Sequence, residues 1–326
     1  MKRLLVLLLA VAMLVCMTAC GPVIKKSDYK LGMGIDVSTA SSKAGTAEAV
    51  ATIATVVLDK EGKIVDCKVD TAQSALSVAD GELEEGYAKK EFKTKYELKD
   101  DYNMKQASGI GKEWYEQADF FANYVVGKTA DQVAAIDKNA DLIAGCTMDV
   151  SGFKAAIAKA CADDQAKTFQ ANDMDLGLAI ITTAAASKAA DDENDGEASF
   201  ASTISAVVVD GDGKTLAAIV DAVEPKVSFD IDGEIGDTKY TDTKRVLKEN
   251  YNMVTYGGSI AEWYVQVNAL TDYVVGKTAD EIKGIATADT KNDGTMRPSD
   301  EDLAAKCTIA ISDYQEAMVK AIGLAD

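Results

Sequence analysis

Glu113-Trp114-Tyr115 returns as Glu262-Trp263-Tyr264. On its near side, Tyr102-Asn103-Met104 returns as Tyr251-Asn252-Met253. On its far side, Tyr124-Val125-Val126-Gly127-Lys128-Thr129-Ala130-Asp131 returns as Tyr273-Val274-Val275-Gly276-Lys277-Thr278-Ala279-Asp280. All three matches share one offset of 149 residues. Unrelated segments do not hold a common register from Tyr102 to Asp131. The period is too long for a solenoid unit of about 20–50 residues and has the size of a whole domain. The chain is a tandem duplication, and each copy is expected to fold around its own core.

The repeat domains are expected over 28–162 and 173–326, with a short polar linker over 163–172. Both open alike. Leu31-Gly32 matches Leu176-Gly177, and Ser42-Lys43-Ala44 matches Ser187-Lys188-Ala189, at an offset of 145. Copy two has therefore gained residues around Asp191 to Gly196. A hairpin follows in each. Ala49 to Leu58 and Lys63 to Asp70 flank Asp59-Lys60-Glu61-Gly62; Ile204 to Val209 and Lys214 to Asp221 flank Asp210-Gly211-Asp212-Gly213. β-branched runs around an Asp/Gly turn signal a hairpin. Period two places Val65, Cys67 and Val69 on one face, read as core. It places Asp66, Lys68 and Asp70 on the other, read as wet. A second turn is expected at Asp80-Gly81-Glu82 and at Asp232-Gly233-Glu234. The stretch Lys93 to Lys99 fits a short helix and a strand equally.

The tryptophan segment predicts a helix. Trp114, Tyr115, Ala118, Phe121, Ala122 and Val125 form a broad apolar stripe, matched by Trp263, Tyr264, Val267, Leu270, Thr271 and Val274. Gly127 and Gly276 are read as C-terminal glycines. Thr129 and Thr278 then head capping boxes with Gln132 and Glu281. That accounts for the repeated Gly-Lys-Thr without a phosphate, since the first Gly of a Walker motif is missing from both copies. Each copy closes with a strand-like segment, Thr147 to Val150 or Thr308 to Ile311, and a helix, Phe153 to Ala162 or Tyr314 to Ile322. Ser151 and Ser312 stand where N-caps belong. Strands and helices segregate within each copy, so the expected class is α+β: two tandem homologous domains, each a small antiparallel sheet packed with helices.

Residues 1–19 read as a signal peptide. Lys2 and Arg3 precede an apolar run, Leu4 to Val15, too short to span a membrane. Met17-Thr18-Ala19-Cys20-Gly21 resembles a bacterial lipobox, with Met17 where Leu is usual. The resemblance implies that Cys20 is the lipidated first residue of the mature protein, that 20–27 is a short lead, and that the membrane is a partner through this anchor. Several acyl chains on one residue hold a protein stably to a bilayer. The expected place is the outer face of the cell membrane.

A net charge of -19, from 34 basic and 53 acidic residues, makes nucleic acid a poor partner. At 48% hydrophobic residues the acidity does not imply disorder. The count of histidines is 0, which excludes Ser-His-Asp and Cys-His catalysis and His-ligated metals. Outside the export segment the cysteines are Cys67, Cys146, Cys161 and Cys307. Only Cys146 and Cys307 match between copies. Cys67 aligns with Ala218 and Cys161 with Ile322, which favours buried thiols acting as small hydrophobes; a Cys67–Cys146 or Cys146–Cys161 bridge is the alternative. Asp191 to Gly196 and Asp289 to Gly294 echo the start of a calcium loop. Lys291 occupies a ligand position, Ser202 replaces the closing Glu, and both read as solvated acidic insertions.

The remaining candidate is the loop before the tryptophan helix: Gln106-Ala107-Ser108-Gly109-Ile110-Gly111-Lys112 in copy one, and Thr255-Tyr256-Gly257-Gly258-Ser259-Ile260-Ala261 in copy two. Glycines feeding a helix N-terminus present free N–H groups to an anion; the competing reading is a tight turn that brings the tryptophan to the core. The hairpin Glu61-Gly62-Lys63-Ile64 followed by Ser108-Gly109-Ile110 resembles the FMN-binding domain of exported bacterial lipoproteins. In that family the loop reads Ser-Gly-Ala-Thr and the Thr carries covalent FMN. Gly111 follows Ile110 here, so the resemblance implies at most non-covalent FMN, with Ser108, Gly109, Gly258 and Ser259 as cofactor-binding candidates. The repeated Trp-Tyr…Val-Val-Gly-Lys-Thr block more closely resembles tandem-repeat lipoproteins of anaerobic Gram-positive bacteria, which implies an address but no activity. The resulting expectation is a non-catalytic extracytoplasmic binding module for an unknown extracellular ligand, without cofactor or metal. The alternative is an FMN-binding-like electron-transfer protein.

Overall fold

Three long antiparallel strands open the first copy: β1 (Ser27–Ser38), β2 (Thr46–Leu58) and β3 (Ile64–Ala79), followed by β4 (Glu82–Leu83). The computed structural model describes residues 27–325. The expected signal peptide and the lipidation residue Cys20 lie outside them. After the strands come α1 (Lys95–Leu98), α2 (Trp114–Val125), α3 (Ala130–Ala134), α4 (Ala140–Ile143) and α5 (Ser151–Cys161). Strand β5 (Lys167–Ala171) then returns along β1, giving a sheet of order β4-β3-β2-β1-β5. Residues 163–172, expected as a polar linker, thus carry an edge strand of the first sheet.

The second copy repeats this order. Its strands are β6 (Asp175–Thr183), β7 (Gly196–Ser199), β8 (Ala201–Val209), β9 (Thr215–Val223), β10 (Lys226–Phe229) and β11 (Ile235–Lys239). Helices α6 (Lys244–Leu247), α7 (Trp263–Tyr273) and α8 (Ala279–Lys283) follow. An inserted hairpin, β12 (Thr287–Ala288) and β13 (Arg297–Pro298), precedes α9 (Glu301–Ala304) and α10 (Ser312–Ile322). The long hairpin that runs unbroken in copy one is split here into β6-β8-β9 and β11-β10-β7. Pro225 lies at the break and has no N–H for the ladder, while its carbonyl accepts from Phe200 N at 3.0 Å. The class is α+β, with two homologous units, each a sheet covered by helices.

The two sheets pack on each other. Leu31, Met33, Ile35, Ile53 and Val57 of the first meet Leu176, Leu178, Ile180, Ile204 and Val208 of the second in one core. The helices cover the outer faces. Trp114, Phe121 and Phe153 close one outer core, and Trp263, Leu270 and Met318 the other. The layers therefore run helix, sheet, sheet, helix. This corrects the expectation of a wet sheet face: both faces are covered, and Asp70 is buried. Val65 also leaves the Cys67 face. A bulge pairs Val57 with Asp66 and Leu58 with Ile64, so Ile64 joins Cys67 and Val69 while Val65 turns to the other side.

Two repeated glycines set how closely a helix meets its sheet. A Cβ on Gly32 would lie 2.1 Å from the Ala160 carbonyl oxygen, and one on Gly177 would lie 1.9 Å from that of Ala321. The Gly-Lys of each repeated block serves as a tie. Gly127 N donates to Ile64 O and Ile64 N to Lys128 O; Gly276 N and Thr215 N make the same exchange with Thr215 O and Lys277 O. The expected capping boxes at Thr129 and Thr278 form. The stretch Lys93 to Lys99 resolves as a helix, α1. Ser151 and Ser312 begin helices whose caps are Val150 and Ile311, one residue earlier than expected. The strand-like Thr147 and Thr308 segments form no ladder, because Gln117 and Gln266 side chains take their amides at 2.9 and 2.8 Å.

Candidate functional site

The loop before each tryptophan helix is held by the chain's own carboxylate. Glu113 caps α2 and is buried; its two oxygens accept from Met104 N at 2.7 Å and Lys105 N at 3.1 Å. Glu262 does the same for Met253 N at 2.8 Å and Val254 N at 3.1 Å. The Glu116 carboxylate accepts from Glu113 N at 2.8 Å.

Ser108 is buried. Its Oγ donates to Lys105 O at 2.9 Å and accepts from Lys112 N at 3.1 Å. Gly109 and Gly258 are exposed, at φ 72° and 59°, in the left-handed region that favours glycine. The Ser259 hydroxyl accepts from Gln266 Nε2 at 2.7 Å. The structure thus puts the four candidate residues in two equivalent loops, one on each copy, and does not bring the loops into one site.

Gln117 and Gln266, missed in the sequence, organise those loops. Each is fully buried in the apolar stripe. Gln117 joins Lys112 O to Thr147, and Gln266 joins Ala261 O to Thr308. The available signal was an identical amide at the same place in both stripes. Trp114 and Trp263 occupy equivalent places, 4% and 1% exposed. A lysine lies over each: Lys95 is 6.0 Å from the Trp114 ring centroid and Lys244 is 5.6 Å from that of Trp263.

Strand β3 and its counterpart β9 each bury an aspartate under a short helix. Asp70 accepts from Tyr96 N at 3.1 Å, and Asp221 accepts from Arg245 N at 3.1 Å. Burial pushes both carboxyls up to about 6, against the hydrogen bonds and, at Asp221, the Arg245 cation.

These aspartates line two crevices between the copies, related by the internal duplication. In one, β6 faces α1, and Tyr96, Leu324 and the Lys320–Glu97 ion pair line the space; Lys320 also donates to Ile180 O at 3.0 Å. About 30 Å³ is left. In the other, β1 faces α6. Arg245 stands where Tyr96 would and Asp163 where Leu324 would, and the cleft is about 570 Å³. Arg245 Nη1 and Nη2 donate to the Asp163 carboxylate at 3.1 and 3.2 Å, and Nη2 also donates to Gln165 O at 3.0 Å. Lys159 and Lys248 stand at the rim, paired with Asp36 and Asp164. The open cleft lies within the usual range for ligand pockets, about 300–1,000 Å³.

The cysteines Cys67, Cys146, Cys161 and Cys307 are free. Burial raises all four thiols, Cys161 and Cys307 to about 11, which makes them poor nucleophiles. Among the described residues no group of three His, Cys, Asp or Glu side chains is placed to hold a metal. In the acidic insertions, Asp191 accepts from Glu193 N and Asn194 N, and Asp293 pairs with Arg297. Among the same residues no helix is long and apolar enough to cross a membrane.

No protein family and no solved structure matches the chain. It is similar to a chlorophenol reductase of Desulfitobacterium hafniense, 31% identical over 128 residues, which are 35% of this chain and 39% of that protein. The match thus spans about two fifths of that relative's length.

Proposed function

We propose that the protein is a non-catalytic extracytoplasmic binding module, anchored by lipid at Cys20, that holds its ligand in the cleft between its two copies. One observation carries this reading: of two crevices related by the duplication, one is filled and the other is open. At the open crevice the ion-paired Arg245 and Asp163 stand where its mate has Tyr96 and Leu324.

The alternative is an extracytoplasmic electron-transfer protein holding FMN non-covalently at Ser108-Gly109 and Gly258-Ser259. It draws on the resemblance of the hairpin and Ser-Gly loop, and on the similarity to a protein named for reductase activity.

Absorbance separates the two. The full-length chain purified in detergent is expected to be colourless and to ignore added FMN. A yellow protein, or tight FMN binding lost in Gly109→Val, overturns the first reading in favour of the second. The anchor has its own test: fatty-acid labelling in cells is expected in the wild type and not in Cys20→Ala, and equal labelling removes it.

A further inference from the structure

The open cleft contains a stretch of strand edge with no partner strand among the described residues. β5 pairs with the outer edge of β1 only from Ser27 to Leu31. Past Leu31, among the described residues, no strand pairs with that edge, and Met33 to Val37 line the cleft instead. Main-chain groups alternate sides along an antiparallel strand. Met33 N donates outward, to Asp163 Oδ2 at 3.1 Å, so Ile35 and Val37 also turn their main-chain groups outward. Lys159 Nζ covers the Ile35 carbonyl at 2.9 Å.

The mate crevice shows what such an edge accepts. There Phe92 forms an antiparallel bridge with Thr182 on β6. The duplication relates Phe92 to Thr241 and Thr182 to Val37. The Thr241–Val37 bridge is not formed; Thr241 is exposed and lines the cleft. The segment that closes the β6 edge is basic, with Lys89, Lys90, Lys93 and Lys95 against Glu91. Of the five aspartates that line the open cleft, Asp36, Asp163 and Asp164 pair with its three cations and Asp221 is buried, while Asp242 is exposed at its rim.

We propose that the cleft binds an extended, basic peptide that adds as a strand to β1 at Met33–Val37, in line with β5, lengthening the single-bridge contact that Phe92 makes on β6. Main-chain hydrogen bonds to Ile35 N and to the Val37 amide and carbonyl hold such a peptide, while Lys159 keeps the Ile35 carbonyl. Asp242 takes a basic side chain, and the exposed Val246 takes an apolar one. This deepens the binding reading above and rests on it.

The probe is a synthetic peptide of the sequence of residues 89–96, Lys-Lys-Glu-Phe-Lys-Thr-Lys-Tyr, titrated into the full-length chain in detergent. The expected result is saturable binding with slowed hydrogen exchange at Ile35 and Val37. N-methylation at alternate peptide positions removes main-chain donors and weakens binding by about tenfold or more. Val37→Pro, at an edge position that tolerates proline, does the same, with an unchanged circular dichroism spectrum as the check on folding. Asp242→Lys weakens binding as well. The proposal is overturned if the peptide does not bind, or if N-methylation leaves its affinity unchanged. A colourless protein that ignores the peptide loses strand addition and keeps the binding reading; a yellow protein loses that reading itself.

Discussion

Arg245 and Asp163 meet in a two-point ion pair with side chains 5% and 6% exposed, at the place where the duplicated crevice holds Tyr96 and Leu324. Removing one partner strands a buried charge, which costs about 3–5 kcal/mol. Arg245→Met is expected to lose that much in urea unfolding. Arg245→Tyr combined with Asp163→Leu rebuilds the filled crevice and is expected to recover most of it. Additive losses in the double variant would show that the two crevices are not interchangeable.

Asp70 and Asp221 predict a pH dependence of stability. Each carboxyl is pushed from 3.8 to about 6 on folding, so the folded state binds protons more tightly than the unfolded. The resulting stability is fully present below the unfolded value and is lost as pH rises through the folded one. Each shift corresponds to about 3 kcal/mol. Stability is expected to fall between about pH 4 and pH 6 on this account. Asp70→Asn and Asp221→Asn should each flatten the slope and stabilise the protein at pH 8. Chemical denaturation at a series of pH values measures it; an unchanged slope in both variants would remove the assignment.

Glu113 and Glu262 predict paired effects. Each holds two loop amides by charge-assisted bonds. Glu113→Ala and Glu262→Ala should each cost about 2–4 kcal/mol. Glutamine retains one good acceptor and should cost less. Hydrogen exchange at Met104 and Lys105, or at Met253 and Val254, should rise only in the copy that is altered.

Gly32 and Gly62 separate two uses of glycine. Gly32→Ala drives a Cβ to 2.1 Å from backbone oxygen and should cost several kcal/mol, with Gly177→Ala behaving alike. Gly62, at φ 75°, has open space around it. Gly62→Ala should cost about 1–2 kcal/mol, from backbone conformation alone. Thermal melts rank the three; a milder effect at Gly32 than at Gly62 would contradict the close helix–sheet approach.

The duplication, both hairpins, the tryptophan helices and the Thr129 and Thr278 caps were legible because each rests on contacts near in sequence. A turn residue, a cap or a stripe at helical spacing acts within a few positions, and its repetition at one offset leaves little room for chance. Glu113 and Gln117 were visible as repeated polar residues, but their partners lie in loops whose course no local signal specifies. The candidate loops at Ser108 and Ser259 were correctly placed before helices; what their hydroxyls bond was not readable.

By itself the sequence determined that there are two like units, where the main hairpins and the tryptophan helices lie, and that α+β is the class. Only the tertiary structure decided that the two sheets pack on each other. Val56 and Val57 read as one apolar run; in the fold they face opposite ways, into the helix core and into the core between sheets. An apolar run records that both faces are buried, not what buries them. The cleft follows the same logic. Tyr96, Arg245, Asp163 and Leu324 lie far apart along the chain, and their exchange has meaning only once packing sets Tyr96 and Arg245 beside the other copy's strand.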